Sequence, residues 1–169
     1  TPDDLAESLR YFAHELGVNI VGGCCGTTPE HLRRVVEVVG HISPKPRRFE
    51  FTPSVASTYT SVPLHLDPPP IIIGERTNTN GSRKFKELMI GGDVEGMLQM
   101  AKEQVHEGSH VLDVCMAYVG RDEAGDMLKL LQPMVHQVTA PVMVDSTQID
   151  VVEKALMAVP GRAIINSIN

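Results

Sequence analysis

HVLDVCMAYVGRDEAGDM, residues 110–127, is the stretch whose reading decides the fold. It opens on a short run, 111–114, that is apolar except for one acid, Asp113. Apolar residues at consecutive positions cannot alternate between core and water, so both faces of such a strand are covered, as in a parallel sheet. The polar turn after it leads into a helix over 123–138. Two more units repeat this pattern, with strand 142–144 followed by a helix over 148–159, and then strand 163–165. Upstream, strand 71–74 precedes a helix over 94–107 that Asp93 caps and Gly108 stops. Strands alternating with helices imply parallel pairing through crossovers. The expected fold class is therefore α/β, of the (β/α)8 TIM-barrel type. A complete barrel takes about 250 residues, so neither side of the linker at 41–70 can hold one, and 71–169 reads as the first half of an α/β domain.

The chain changes character twice upstream of residue 71. Seven of its twelve prolines fall between Pro44 and Pro70. Proline removes donors and fixes φ, so 41–70 reads as an extended linker, with Phe49 and Phe51 as one strand or packing hook within it. Lys45, Arg47 and Arg48 form a short solvated basic run there. Residues 1–40 read as helix, strand, helix. Thr1-Pro2-Asp3-Asp4 is a cap with proline at the first helical position, and Gly17 stops the helix. A strand is expected over 18–21. Thr28-Pro29-Glu30 starts a second helix, with Leu32, Val35, Val36 and Val39 in one buried stripe. Residues 1–40 thus read as the end of another α/β domain. The opening on Thr1 suggests an excised or processed fragment.

Composition narrows the class. A net charge of −6 gives no reason to expect nucleic acid or an anionic membrane as partner. No apolar run approaches the ~20 residues of a membrane span. Aromatics are 4% of the chain and Trp is absent, so Val, Ile, Leu and Met build the core; Met97, Met100, Met127, Met134 and Met157 sit at core-like helical spacing. Three cysteines, two of them adjacent, do not make a disulfide framework, and reduced thiols place the protein in the cytoplasm.

The chemistry is expected at strand ends. A polar residue follows each strand of the second segment: Glu75, Cys115, Asp145 and Asn166, with Asp113 one pleat earlier. In parallel α/β folds the carboxyl ends of the strands are where sites are built. The plain alternative is loop residues and helix caps, and Ser146 and Thr147 are expected to cap the helix after them. Asp113 is the sharpest candidate, since an acid inside an apolar strand is costly to bury without a partner. In the first segment, GGCCGTT follows a strand directly. Thiolates are soft ligands suited to zinc, and glycines let the backbone bend Cys24 and Cys25 toward one ion. Two small buried hydrophobes is the competing reading. A catalytic zinc takes three protein ligands; His14, His31 and His41 lie nearby in sequence, but His14 and His31 read as surface residues on helices.

NIVGGCCGTTPEHLRRV (19–35) resembles the last strand and helix of the homocysteine-binding barrel of zinc-dependent homocysteine methyltransferases. IIIGERTNTNGSRKF (71–85), the stretch at 110–127, PVMVDST (141–147) and AIINSIN (163–169) resemble the first four strand ends of a pterin-binding barrel. Their order, with a proline-rich linker between, resembles the cobalamin-dependent methionine synthase family. Pterin barrels also occur in dihydropteroate synthases and corrinoid methyltransferases, which lack a homocysteine module upstream.

The resemblance implies an enzyme that moves a methyl group from 5-methyltetrahydrofolate to homocysteine, with methylcobalamin held by a module outside this chain. It implies that Cys24 and Cys25 are two of three thiolates on a catalytic zinc. It places Asp113, Asp145 and Asn166 at the reacting pterin, with Glu75 and Asn78 in the same binding site. A carboxylate suits a pterin because the ring amino group and ring N–H are adjacent donors. Many members of the family read LDVN where this chain has Leu112-Asp113-Val114-Cys115, so Cys115 is read as a small rim residue and not as a ligand. Two rival readings are a stand-alone pterin-binding methyltransferase or synthase and a non-catalytic interdomain connector.

Overall fold

A computed structural model describes residues 1–46 and 50–168. Arg47, Arg48 and Phe49 of the sequence reading lie outside the described residues. The chain divides into two units, Thr1–Glu50 and Phe51–Asn169.

The first unit is a helix pair. Helix α1 (Pro2–His14) begins in a capping box, in which Thr1 accepts from the Asp4 amide and its hydroxyl donates to the Asp4 carboxylate at 2.6 Å. Helix α2 (Pro29–Val39) is closed at its start by His31, whose Nδ1 accepts from the Thr28 amide at 3.3 Å. The helices pack on each other around Ala6, Ala13 and Val35, and Arg34 reaches Asp3 at 2.6 Å. Two expectations fail here. Residues 18–21 form no strand, and Ile20 is 90% exposed. A strand needs a ladder partner, and the described residues of this unit supply none. Of the stripe on α2 only Val35 is buried, while Leu32 and Val36 are exposed, because α1 covers a narrower face than the apolar pattern offers.

The second unit is a mixed α/β fold around one parallel sheet. Its strands are β3 (Ile73–Gly74), β4 (Val111–Val114), β5 (Val142–Asp145) and β6 (Ile164–Asn166), hydrogen-bonded in that order. Helices α3 (Arg83–Gly91) and α4 (Val94–His106) lie between β3 and β4, α5 (Glu123–Gln137) follows β4, and α6 (Ile149–Ala158) follows β5. The order of the four strands is as expected, and the sheet stays open at β3 and β6. Leu112, Val114, Val142 and Val144 face the helices and pack with Phe85, Met97, Met127, Leu130, Met134 and Ala155. The other strand face carries Asp113, which pairs in register with Met143, and Asp145, which pairs with Asn166.

Four details depart from the sequence reading. Helix α3 has no counterpart in it; Ser82 caps this helix by accepting from the Phe85 amide at 3.2 Å, and Phe85 and Met89, one turn apart, anchor it in the core. Met157 is 86% exposed, whereas Met97, Met100, Met127 and Met134 are buried as expected. Helix α6 starts at Gln148, which has no side-chain cap; Ser146 Oγ accepts the Gln148 amide in a local turn, and Thr147 is exposed. Finally, the proline-rich stretch holds a hairpin of β1 (Ser54–Ala56) and β2 (Ser61–Pro63). Its prolines bound the strands, which leaves room for a short ladder between them.

The hairpin is tied to the sheet at the end opposite the polar rim. Ala56 and Arg162 exchange both backbone hydrogen bonds at 2.9 Å, just before β6. Ser57 Oγ donates to the Thr139 carbonyl at 2.6 Å and Tyr59 Oη to that of His136 at 2.8 Å, both ahead of β5. Gly161 is required at this junction: its φ is +88°, and a Cβ there would run into the Ala56 carbonyl. No helix among the described residues is long and apolar enough to cross a membrane.

Candidate functional site

The rim is assembled by the loop after β3. Past Gly74 the chain continues alongside β4: the Cys115 amide donates to the Thr77 carbonyl at 3.2 Å and the Thr79 amide to the Cys115 carbonyl at 3.1 Å. Side chains reinforce the register, with Thr77 Oγ1 donating to the Asp113 carbonyl at 2.7 Å and Thr79 Oγ1 to that of Ala117 at 2.8 Å. This parallel run places Asn78 over the ends of β4 and β5. Its Nδ2 donates to Asp113 Oδ2 at 2.7 Å and to Asp145 Oδ2 at 2.8 Å. Its Oδ1 accepts from the amides of Asn80, at 2.8 Å, and Gly81, at 3.2 Å. Asn166 closes the group from β6, its Nδ2 lying 3.5 Å from Asp113 Oδ1.

Asp113, Asn78, Asp145 and Asn166 therefore share one cluster. Asp113 is 3% exposed and Asn78 7%. Burial pushes the Asp113 carboxyl above the ordinary carboxylate range; hydrogen bonds from Asn78 and Asn166 oppose this, and the neighbouring Asp145 charge adds to it. Cys115 is buried at the edge of the group, with Asn80 Nδ2 at 3.8 Å and Thr79 Oγ1 at 3.9 Å from its sulfur. Burial raises its thiol pKa, so it stays protonated at neutral pH. Glu75 is exposed, and its carboxylate takes no part in these bonds.

The thiols of the first unit lie in a separate turn. Thr27 accepts the Cys24 amide at its hydroxyl and returns its own amide to the Cys24 carbonyl, both at 3.0 Å. Cys24 and Cys25 are exposed and unoxidised, with their sulfurs 3.6 Å apart. Tetrahedral zinc with Zn–S of about 2.3 Å spaces two sulfurs about 3.8 Å apart, so this pair fits two vertices of such a site. The Cys25 backbone amide, and then its thiol, lower the Cys24 pKa toward thiolate. Among the described residues no group of three His, Cys, Asp or Glu side chains is placed to hold a metal. His14 instead pairs with Glu15, and His31 closes α2.

Residues 74–169, more than half of the chain and the whole of the rim, match the pterin binding enzyme family. The chain belongs to that family. Residues 1–39, which include both thiols, match the homocysteine S-methyltransferase family. The chain is 46% identical over 168 residues to the methionine synthase of Mycobacterium tuberculosis and 44% identical over 173 to that of Mycobacterium leprae. Each alignment covers 99% of this chain and 14% of the relative, so the chain spans about one seventh of their length.

In this pterin-binding member the rim depends on groups that the sequence reading passed over. Gln104, 1% exposed on α4, accepts the Arg76 amide at 2.7 Å and approaches Thr77 Oγ1 at 3.4 Å, bracing the first loop from below. Its signal was an amide in line with Met97, Met100 and Ala101 on a core-facing stripe. Glu123, buried at the start of α5, accepts from Gln148 Nε2 at 2.7 Å and ties the loops after β4 and β5 together. Asp126 is held by Arg121 at 2.6 Å, a bond that keeps its carboxyl below the ordinary range.

Proposed function

We propose that the chain carries parts of two sites of an enzyme that transfers a methyl group from 5-methyltetrahydrofolate, by way of cobalamin, to homocysteine, giving methionine and tetrahydrofolate. In this reading residues 1–40 end a homocysteine-binding barrel, 41–70 connect, and 71–169 are the first half of a pterin-binding barrel. The observation that carries it is the pairing of Asp113 and Asp145 through Asn78 inside the stretch that matches the pterin-binding family. Two carboxylates beside Asn166 suit a heterocycle with adjacent amino and ring N–H donors. Asp113, Asp145 and Asn166 bind and orient the pterin, the two carboxylates accepting from its adjacent amino and ring N–H donors. Glu75, exposed at the head of the same loop, meets the pterin once it is bound.

Cys24 and Cys25 would hold zinc, with the remaining protein ligand from outside this chain. Zinc there supplies Lewis-acid activation of a bound homocysteine thiol. Cobalamin, carried by another module, supplies the methyl-carrying chemistry. Three free thiols support a cytoplasmic setting.

The test separates the half-reactions in the intact protein. Replacing Cys24 and Cys25 together by Ser should lower zinc content and homocysteine methylation while leaving methyl transfer from methyltetrahydrofolate intact. Stoichiometric zinc in that variant, or equal loss of both half-reactions, would remove the thiols from the proposed role.

A further inference from the structure

We infer that Asn78 is a positioning residue, whose amide nitrogen ties Asp113 and Asp145 into one anionic acceptor for the ligand. The inference rests on the pterin reading above and assigns Asn78 a role in that site other than contact. A primary amide has two donor hydrogens and two acceptor lone pairs. Here both hydrogens go to carboxylates and both lone pairs to the Asn80 and Gly81 amides. Nothing remains for a ligand unless one of these bonds breaks.

What the arrangement provides instead is tolerance of like charge. The two carboxylate oxygens on Nδ2 lie roughly 5 Å apart by the trigonal geometry of the amide. Like charges so close oppose each other, and the Asp145 charge raises the pKa of the buried Asp113. The groups facing the pair are Asn78 from the first loop, Asn166 from β6 and Cys115 from the end of β4; Thr79 and Asn80 contact the Cys115 sulfur, and Glu123 lies close enough to act on it. Among the described residues no Lys or Arg is paired with either acid. The Asn78 amide is thus the main neutral group favouring the ionised form of Asp113, and it holds Asp145 beside it. It also selects the ligand-facing atoms: one oxygen of each acid is taken by Nδ2, which leaves the second oxygen of Asp145, and that of Asp113 beside its long contact to Asn166, for the ligand's adjacent donors.

Two substitutions keep the turn and remove the bridge. In Asn78→Asp and Asn78→Ser a side-chain oxygen still accepts from the Asn80 and Gly81 amides, while the bridging N–H donors are gone. The affinity of the intact protein for methyltetrahydrofolate, measured by calorimetry from about pH 4 to 8, should fall off on the acid side as Asp113 protonates. Losing the bridge raises the protonation pH of Asp113, so this acid limb should move up by about one pH unit in N78D and by less in N78S. In the D113N background, where the titrating carboxyl itself is gone, N78S should not move the limb. Equal loss of affinity at every pH, or an unmoved limb, would overturn the inference while leaving the pterin reading standing. A wild-type protein that binds no methyltetrahydrofolate at any pH would overturn that reading, and this inference with it.

Discussion

Asp145→Asn keeps the shape of the side chain and changes what it offers. In the native rim one oxygen accepts from Asn78 Nδ2 at 2.8 Å, and the other remains for a ligand. An amide has one acceptor oxygen and one NH2 group, so whichever way it is set, an NH2 faces either Asn78 or the pterin donors. Losing a hydrogen bond to a charged group is worth roughly 1.5–3 kcal/mol, about one to two decades of affinity. Folding should respond differently. The Asp145 charge raises the Asp113 pKa, so removing it relieves repulsion inside a buried cluster. An acid whose folded pKa is raised loses stability as pH rises from the ordinary carboxylate range toward that pKa, and the penalty persists above it. The variant should therefore be no less stable than wild type at neutral pH. Calorimetric titration with methyltetrahydrofolate and denaturant unfolding, run on the same preparation of the intact protein, separate the two effects. Unchanged affinity would take Asp145 out of the site, and a loss of affinity matched by lower stability would reassign it to the fold.

Two further predictions concern the frame around the rim. Gly161→Ala should destabilise by roughly 1–3 kcal/mol, since a non-glycine residue at positive φ costs about 1–2 kcal/mol and its Cβ meets the Ala56 carbonyl; hydrogen exchange at the Ala56 and Arg162 amides should rise before global unfolding, and unaltered protection there would disprove the docking role of the hairpin. Arg121→Met should destabilise by about 1 kcal/mol at neutral pH through the buried Asp126 carboxylate, with Lys129 compensating in part. Because the folded Asp126 pKa is lowered, this contribution is complete above the ordinary carboxylate range and fades as pH falls through the folded value, so the stability curves of wild type and variant should converge in acid and stay apart at neutral pH.

The residues that could be read directly are those whose local cost is visible in one strand. Asp113 stands out because an acid in an otherwise apolar four-residue strand has to be partnered, and the partners are there. Asp145 and Asn166 follow from the same rule that polar groups at parallel strand ends face one rim. Their joining could not be read this way, because it is made by Asn78, and Asn78 is placed by backbone pairing between a loop and a strand 35 residues away. Nothing in TNTN announces that it will run parallel to β4; the register is set from below by Gln104, itself hidden in a helix stripe.

The errors share a cause. Residues 18–21, Leu32 and Val36 carry the apolar pattern of buried elements, but a pattern states only what a face can bury, and the neighbour that buries it has to be present. The hairpin at 54–63 is the converse case. Its composition argues against structure, and it is ordered through partners at Thr139, His136 and Arg162, some eighty or more residues later. That hairpin and the Asn78 loop grip the sheet at opposite ends of the same strands. Changes at the hairpin should therefore act on stability and changes at the loop on ligand affinity and its pH dependence, so a variant at Gly161 that altered the acid limb of binding would show the two ends to be coupled through the sheet.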